Sequence, residues 1–546
     1  MSKKRPKSIM IQGTGSHVGK SVAVAAICRI LKEDGYSVCP FKSQNMALNS
    51  YVTASGEEMG RAQAVQAEAC GLEPQVYMNP ILIKPVADSR AQIIFMGRVV
   101  KNMSAIEYDK KKFFYLSRIK EILDDLKKKF DYIVIEGAGS PAEINLLKND
   151  IVNMRVAEIA GSNVILVGDV DKGGVFASFY GTVKLLPYKY RKHIKAFLVN
   201  KFRGDISLLK PGNDYIAKKL DIPVLGTIPF FKDIYIEEED SVNIEREESR
   251  KNLLVNLRTN NEGGKIIISV IYLPHISNFT DFNAFELDKD VSLVYIRDSR
   301  ELKNLKPHMI IIPGSKSTIS DLLYLRKSGL EEEIKKQYKR GTVVFGICGG
   351  FQILGKKITD KFKSESKNAG SINGFGFIDM DTDFRQDKFT RQVEFKINSD
   401  LLQHHDFKKL SGRLTKKVAG TMKGYEIHMG TSGAMAGSLQ KLVPLFRVIT
   451  GGSNGMATYD GFIKFDDVSV KMVLGTYIHG IFDNNGMREF ILNVLREKNN
   501  IISGDGDEEV MTSYEDFRDN QYNRLADIFR ENMDMDLFYS ILNNGL

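Results

Sequence analysis

The chain has 546 residues, and 77 Lys and Arg against 68 Asp and Glu leave a formal net charge of +9. That length supports two or three domains with ample cores. The charges are mixed in sign, which reads as a solvated surface rather than a nucleic-acid footprint, and no apolar run reaches the roughly 18 residues of a membrane helix. The basic start, Met1 to Lys7, is followed by no apolar stretch of leader type. Four cysteines (Cys28, Cys39, Cys70 and Cys348) lack metal-site spacing and are too few for a disulfide framework, so a reducing, cytoplasmic setting is expected.

In chain order, Ser8 to Gln12 predicts a short buried strand. Gly13-Thr14-Gly15-Ser16-His17-Val18-Gly19-Lys20-Ser21 follows and opens an amphipathic helix to about Gly35. Backbone N–H groups of such a loop cradle phosphates, Lys20 supplies a point charge and Ser21 can ligate magnesium. Thr14 replaces the first glycine of the strict phosphate-loop pattern, and His17 reads as a polar loop filler. A strand at Tyr36 to Pro40 leads into Phe41-Lys42-Ser43-Gln44-Asn45-Met46-Ala47-Leu48-Asn49-Ser50, where Lys42 is placed to neutralise a transferring phosphoryl group. Two further apolar runs end in acids, Glu136 in one, Asp169 and Asp171 in the other. Ligands bind outside the carboxyl ends of strands in open α/β sheets, so these acids are expected near the phosphate loop, with Glu136 the first choice for magnesium. Strands alternate with helical patterns from 8 to 230, which predicts a parallel, doubly wound sheet.

The charged stretch from Glu237 to Arg250 and the turn-rich Thr259 to Gly264 place a domain boundary near 255–264, after which Lys265 to Tyr272 restarts the α/β pattern. Domains are therefore expected at 1–255 and 264–495, with a helical tail at 496–546 packing back on one of them. Residues 384–420 interrupt the second domain as hairpins or an excursion. Within it, the apolar Thr342 to Phe345 runs into Gly346-Ile347-Cys348-Gly349-Gly350. A buried strand that ends in Gly-x-Cys-x-Gly and turns at once into a helix is a nucleophile elbow. Cys348 is the expected nucleophile, and His479, at the end of the strand-like Gly475 to Ile478, the expected base. The N–H of Gly349 is the natural first oxyanion donor, and Gly314, in Pro313-Gly314-Ser315, offers a second. The group that orients His479 is open: Glu426, Asp483 or a backbone carbonyl.

The back half resembles the class I (triad-type) glutamine amidotransferases, although Ile481 stands where many members carry Glu. The Gly-x-Gly-x-x-x-Gly-Lys-Ser loop resembles that of dethiobiotin synthetase-like ATPases. The segment Phe41 to Ser50, with Gly56 to Ala64, Asn79 to Pro85, Asp171 to Phe176, Asn200 to Asp205 and Gly424 to Gly430, is similar to the cobyric acid synthases over nearly the whole chain. The resemblance implies an α/β fold of two doubly wound domains, a P-loop-type sheet followed by a flavodoxin-like amidotransferase sheet. It implies ATP and Mg2+ at Gly15, Gly19, Lys20, Ser21, Lys42, Glu136 and Asp169, with Asn200 toward adenine by analogy. It also implies glutamine and a corrinoid diamide as small-molecule substrates, amidated at four side-chain carboxylates with ammonia carried along an enclosed path. Neither a nucleic acid nor a membrane is an expected partner, and the oligomeric state is open. The rival readings are the sister enzyme that makes the a,c-diamide, a regulatory ATPase with a degenerate second domain, and a corrinoid scaffold without turnover.

Overall fold

The computed structural model describes residues 7–87, 90–231, 234–237, 265–365, 370–405, 407, 420–435, 442–450, 458–466, 471–501 and 513–543. Its contacts divide into two units. One comprises Met1–Ala47, Glu58–Glu239 and Asp516 onward; the other comprises Leu48–Glu57 and Asp240–Glu515. This differs from three successive blocks: ten residues of the front half belong to the back unit, and the tail helices belong to the front one. The expected linker at 255–264 lies outside the described residues.

The first unit is built on a six-stranded sheet in the order Val224–Pro229, Ile194–Phe202, Asn163–Asp169, Lys7–Gly13, Tyr132–Glu136, Val38–Phe41. Every pairing is parallel, and all the residues of Asn163–Asp169 and Tyr132–Glu136 are buried, as continuous apolar runs covered on both faces require. The strand carrying the phosphate loop lies between those carrying Glu136 and Asp169, so the loop emerges with one acid on either side. A four-stranded sheet of Gln44–Met46, Ile81–Ala87, Arg90–Phe95 and Arg98–Ser104 accompanies it.

Helices Tyr514–Asn532 and Met535–Asn543 complete this unit's core. Leu525, Ala526 and Phe529 pack in one buried cluster with Ile27, Ile30 and Leu31 of the helix Lys20–Glu33. Arg29 makes a bidentate pair with Asp519 at 2.8 Å on each arm, and Arg530 bonds Glu33 and Asp34. The helical tail expected to pack back on a domain thus finds the helix that follows the phosphate loop.

In the second unit, five parallel strands lie in the order Val291–Ile296, Ile266–Ile271, Met309–Ile312, Val343–Ile347, Lys471–Thr476. Numbered by chain position this is 2-1-3-4-5, the flavodoxin-like order. Antiparallel strands Thr458–Asp466, Val443–Val448 and Met380–Ile397 extend the sheet beyond the last of these. The 384–420 excursion contributes one arm of a long antiparallel ribbon, Met380–Ile397 against Met422–Ala434; of the stretch between, 406 and 408–419 lie outside the described residues.

Candidate active sites

In the first unit, Gly19 caps the helix at φ 98, and a Cβ there would fall 2.0 Å from the Asn200 amide nitrogen, so the position takes only glycine. Asn200 Nδ2 donates to Val18 O at 2.9 Å, and Lys201 Nζ donates to His17 O at 2.6 Å and to Asp169 at 2.9 Å. Asn200, expected toward adenine, thus carries the loop on its amide. Asp169, expected toward metal, is held in an ion pair and also accepts from Asp171 N at 3.0 Å. Asp171 itself pairs with Arg203. Lys20 Nζ bonds the carbonyls of Gly15 (2.8 Å) and Gly139 (3.2 Å), which centres its charge over the loop.

Glu136 is the hub. Its carboxylate, 1% exposed, accepts from Ser21 Oγ and Lys42 Nζ at 2.9 Å each, and from Gln66 Nε2 at 2.5 Å. Burial alone would push its pKa up, but the charge and hydrogen bond of Lys42, with Gln66 and Ser21, hold it below the ordinary value. Sequence reasoning placed Lys42 toward phosphate; the structure also makes it the counter-ion of Glu136. Gln63 and Asn45 stand behind, Asn45 Nδ2 donating to Gln63 Oε1 at 2.9 Å. Asn153, not foreseen, pins the loop after Glu136 by accepting from Ala138 N and donating to Ala138 O. Lys84 and Glu58 form a second buried ion pair at 2.6 Å.

In the second unit, Cys348 sits between the strand Val343–Ile347 and the helix Gly349–Leu354 at φ 51, ψ −106, the strained turn expected of an elbow. The turn is possible because residue 350 has no side chain: a Cβ there would lie 1.9 Å from Ile312 O. Cys348 N donates to Thr476 O at 2.8 Å and its Sγ reaches Ile427 O at 3.6 Å. His479 neighbours the Cys348 thiol, and its Nδ1 lies 2.6 Å from Asp281 Oδ2. Asp281 Oδ1 also accepts from Gly480 N at 3.1 Å, fixing the turn after the histidine. Burial lowers the imidazole pKa, but the charge and hydrogen bond of Asp281, with the neighbouring Cys348 thiol, outweigh it and raise the value to about 10. Tyr425 stacks on the ring at 5.2 Å, 16° from parallel.

The orienting acid is therefore Asp281, on a short helix at Phe279–Leu287, and the weaker candidates have other positions. Glu426 pairs with Arg391, and Asp483 lies in the turn Ile481–Asp483 beyond the histidine. One local signal for Asp281 exists in the sequence: an acid set among Phe279, Phe282 and Phe285 is either buried with a partner or misplaced. Glu426 instead faces Asp460, whose pKa is raised to about 7 by burial and by the Glu426 charge, while Thr476 Oγ1 and Tyr477 N donate to it. His428, stacked on Tyr477 at 4.0 Å, is lowered to about 4, chiefly by burial.

Gly314 and Gly349 meet at this site. A Cβ on Gly314 would lie 3.2 Å from His479 Cε1, and one on Gly349 would lie 2.9 Å from Ser315 N. The Pro313-Gly314-Ser315 turn is held by Ser277 N on Gly314 O (3.0 Å) and by Ser315 Oγ on Asp321 (2.6 Å). Among the described residues no group of three or more His, Cys, Asp or Glu could hold a metal, and no helix is long and apolar enough to cross a membrane.

Residues 9–244 match the CobQ/CobB/MinD/ParA nucleotide binding domain, and residues 267–487 match the CobB/CobQ-like glutamine amidotransferase domain. A cobyric acid synthase of Clostridium acetobutylicum is 46% identical over 534 residues, covering 98% of each chain. One of Clostridium botulinum is 46% identical over 535 residues, 98% of this chain and 99% of that one. One of Clostridium tetani is 45% identical over 534 residues, 98% of each. With both domain types matched and the likeness running end to end, the chain belongs to the cobyric acid synthase family of glutamine-hydrolysing amidotransferase-ligases.

Proposed function

We propose that the protein amidates the b, d, e and g carboxylates of adenosylated cobyrinic a,c-diamide to give cobyric acid, using ATP and nitrogen from glutamine. The arrangement that carries this reading is Cys348 beside His479, with His479 Nδ1 on Asp281, next to the Gly314 and Gly349 amides. Cys348 attacks the glutamine side-chain amide as a thiolate, its proton already resident on the His479 imidazolium. The Gly349 and Gly314 N–H groups receive the oxyanion. The imidazolium protonates the leaving nitrogen, ammonia departs, and water then releases glutamate from the thioester. Asp281 keeps Nδ1 protonated and compensates the imidazolium charge, the role of the acid in a Ser-His-Asp array.

In the first unit, the substrate carboxylate attacks the γ-phosphorus of ATP, forming an acyl phosphate and ADP. Ammonia displaces phosphate and leaves the amide. Gly15, Gly19 and Lys20 would hold the phosphates, with Lys42 over the transferring group. Magnesium favours hard oxygens, and the hydroxyl–carboxylate pair of Ser21 and Glu136 at the loop supplies them. The ion would supply charge neutralisation at the phosphates. Lys42 and Ser21 share one oxygen of Glu136, so binding of phosphate oxygens and a cation re-sorts these partners rather than creating them.

The test is direct: incubate the protein with MgATP, glutamine and the diamide, and follow product mass. Stepwise conversion of four carboxylates to amides is expected, with equivalent glutamate and phosphate. Phosphate release without amide, or no glutamate at all, would overturn the reading.

A further inference from the structure

Residues Leu48–Glu57 come from the front half of the sequence but are part of the second unit. Asn49 is 1% exposed, and its side-chain oxygen accepts from Phe279 N at 3.2 Å; Asn278, 2% exposed, returns the contact by accepting from Ser50 N at 3.2 Å. Asn278 sits at φ 52 and caps the short helix that bears Asp281, whose own N–H is on Asn278 O at 3.1 Å. The reciprocal pair therefore fixes the start of the turn whose third residue, Asp281, holds His479.

The same segment touches the other walls of the thiol site. The Tyr51 ring lies 6.3 Å from Tyr425, the ring stacked on His479. Val52 forms a buried cluster with Tyr425 and Ile427, and Ile427 O is the acceptor facing Cys348 Sγ. Gln392 Nε2 donates to Val52 O at 3.0 Å and Thr390 Oγ1 to Gly56 O at 2.7 Å, so the segment is anchored along its length.

We infer that Asn49, through its exchange of backbone bonds with Asn278, is a positioning residue for the Asp281–His479 pair, and that Leu48–Glu57 is a structural part of the glutaminase centre. The inference rests on the glutaminase reading above. It requires that loosening this clamp degrade the chemical step rather than glutamine binding, since Asn49 bonds the backbone of the turn that bears Asp281.

The experiment uses the full chain and two variants, Asn49→Ala and Asn278→Gly. Glycine keeps the left-handed backbone at 278 while deleting the bond to Ser50, so that arm stands even if Asn49→Ala fails to fold. Glutamate release should fall about tenfold or more in kcat with KM within about twofold. The alkaline limb of kcat, set by His479 facing Asp281, Cys348 and the neighbouring His428, should move toward neutral pH. Amidation driven by ammonium chloride in place of glutamine should stay within about twofold of the unsubstituted protein. An unchanged kcat and alkaline limb in a folded variant overturns the inference. So does a loss of ammonia-driven amidation in step with glutamate release, which marks general damage. Unsubstituted protein that releases no glutamate, or releases it equally with Cys348→Ala, sinks the glutaminase reading itself.

Discussion

The two centres hold buried charge in opposite ways. In the second unit the acid–base pair His479–Asp281 is closed, with one carboxylate committed to one imidazole, both under 5% exposed, and a tyrosine laid on top. In the first, Glu136 is shared among a cation, a hydroxyl and an amide, any of which a ligand can take over. On the proposed reading, a closed pair suits a site whose proton shuttle is set before glutamine arrives. On the same reading, a shared carboxylate suits a site that accepts and releases a highly charged nucleotide. Removing one partner of a buried pair leaves the other uncompensated, at about 3–5 kcal/mol, so both designs are costly to break but for different functional losses.

The sharpest way to break the comparison is at the thiol. Cys348→Ala should abolish glutamate release while sparing amidation driven by ammonia, measured side by side. Asp281→Asn comes next: an amide in that place offers the wrong partner to Nδ1, and kcat should drop by about 10^3- to 10^4-fold with the fold intact by circular dichroism. Lys42→Met should lower amidation from either nitrogen source by about 10^2-fold or more and leave glutamate release in place. It should also destabilise the first unit, and adding Glu136→Gln should recover melting temperature without recovering amidation. If the double variant regains activity, Lys42 serves only the ion pair.

The smallest effect concerns Asp460. Its pKa is raised from near 4 to about 7, so the native state binds a proton that the unfolded chain releases, and stability falls as pH rises from about 4 through 7. Asp460→Asn should therefore raise melting temperature at pH 8, by an amount worth about 1 kcal/mol or more, and change little at pH 4. The His479 pair has the opposite ionisation but the same slope. Its stabilising contribution is complete below pH 6.5, declines above that and is gone beyond about pH 10.

Much of the first site was legible because it is local. A strand, a glycine loop and Lys20-Ser21 occupy one short stretch, and Glu136 ends an apolar run that could only be a buried strand. The elbow was legible for the same reason, since Gly346, Gly349 and Gly350 flank the thiol. Asp281 was not, because no spacing rule links it to a histidine 198 residues later that it meets only through the fold of Phe279–Leu287. Nor could periodicity show that Asn49 and its neighbours leave the front unit: polar residues in extended chain carry no signature of which sheet they serve. Asp169 was expected to be open toward a ligand, but the lysine that claims it, Lys201, is also the one that clasps the phosphate loop.

The return of Tyr514–Asn532 and Met535–Asn543 to the first unit sets an order of events at the ribosome. Leu525, Ala526 and Phe529 belong to the same buried cluster as Ile27 and Ile30, and residue 533 bridges to Gly226. At about 5–20 residues per second, the front sheet waits tens of seconds after its own strands are made before the helices that seal it emerge. During that interval its apolar flank lacks its partner helices, whereas the inserted unit already has all its segments. Nascent chains halted before residue 514 should therefore show protease resistance in the amidotransferase unit first.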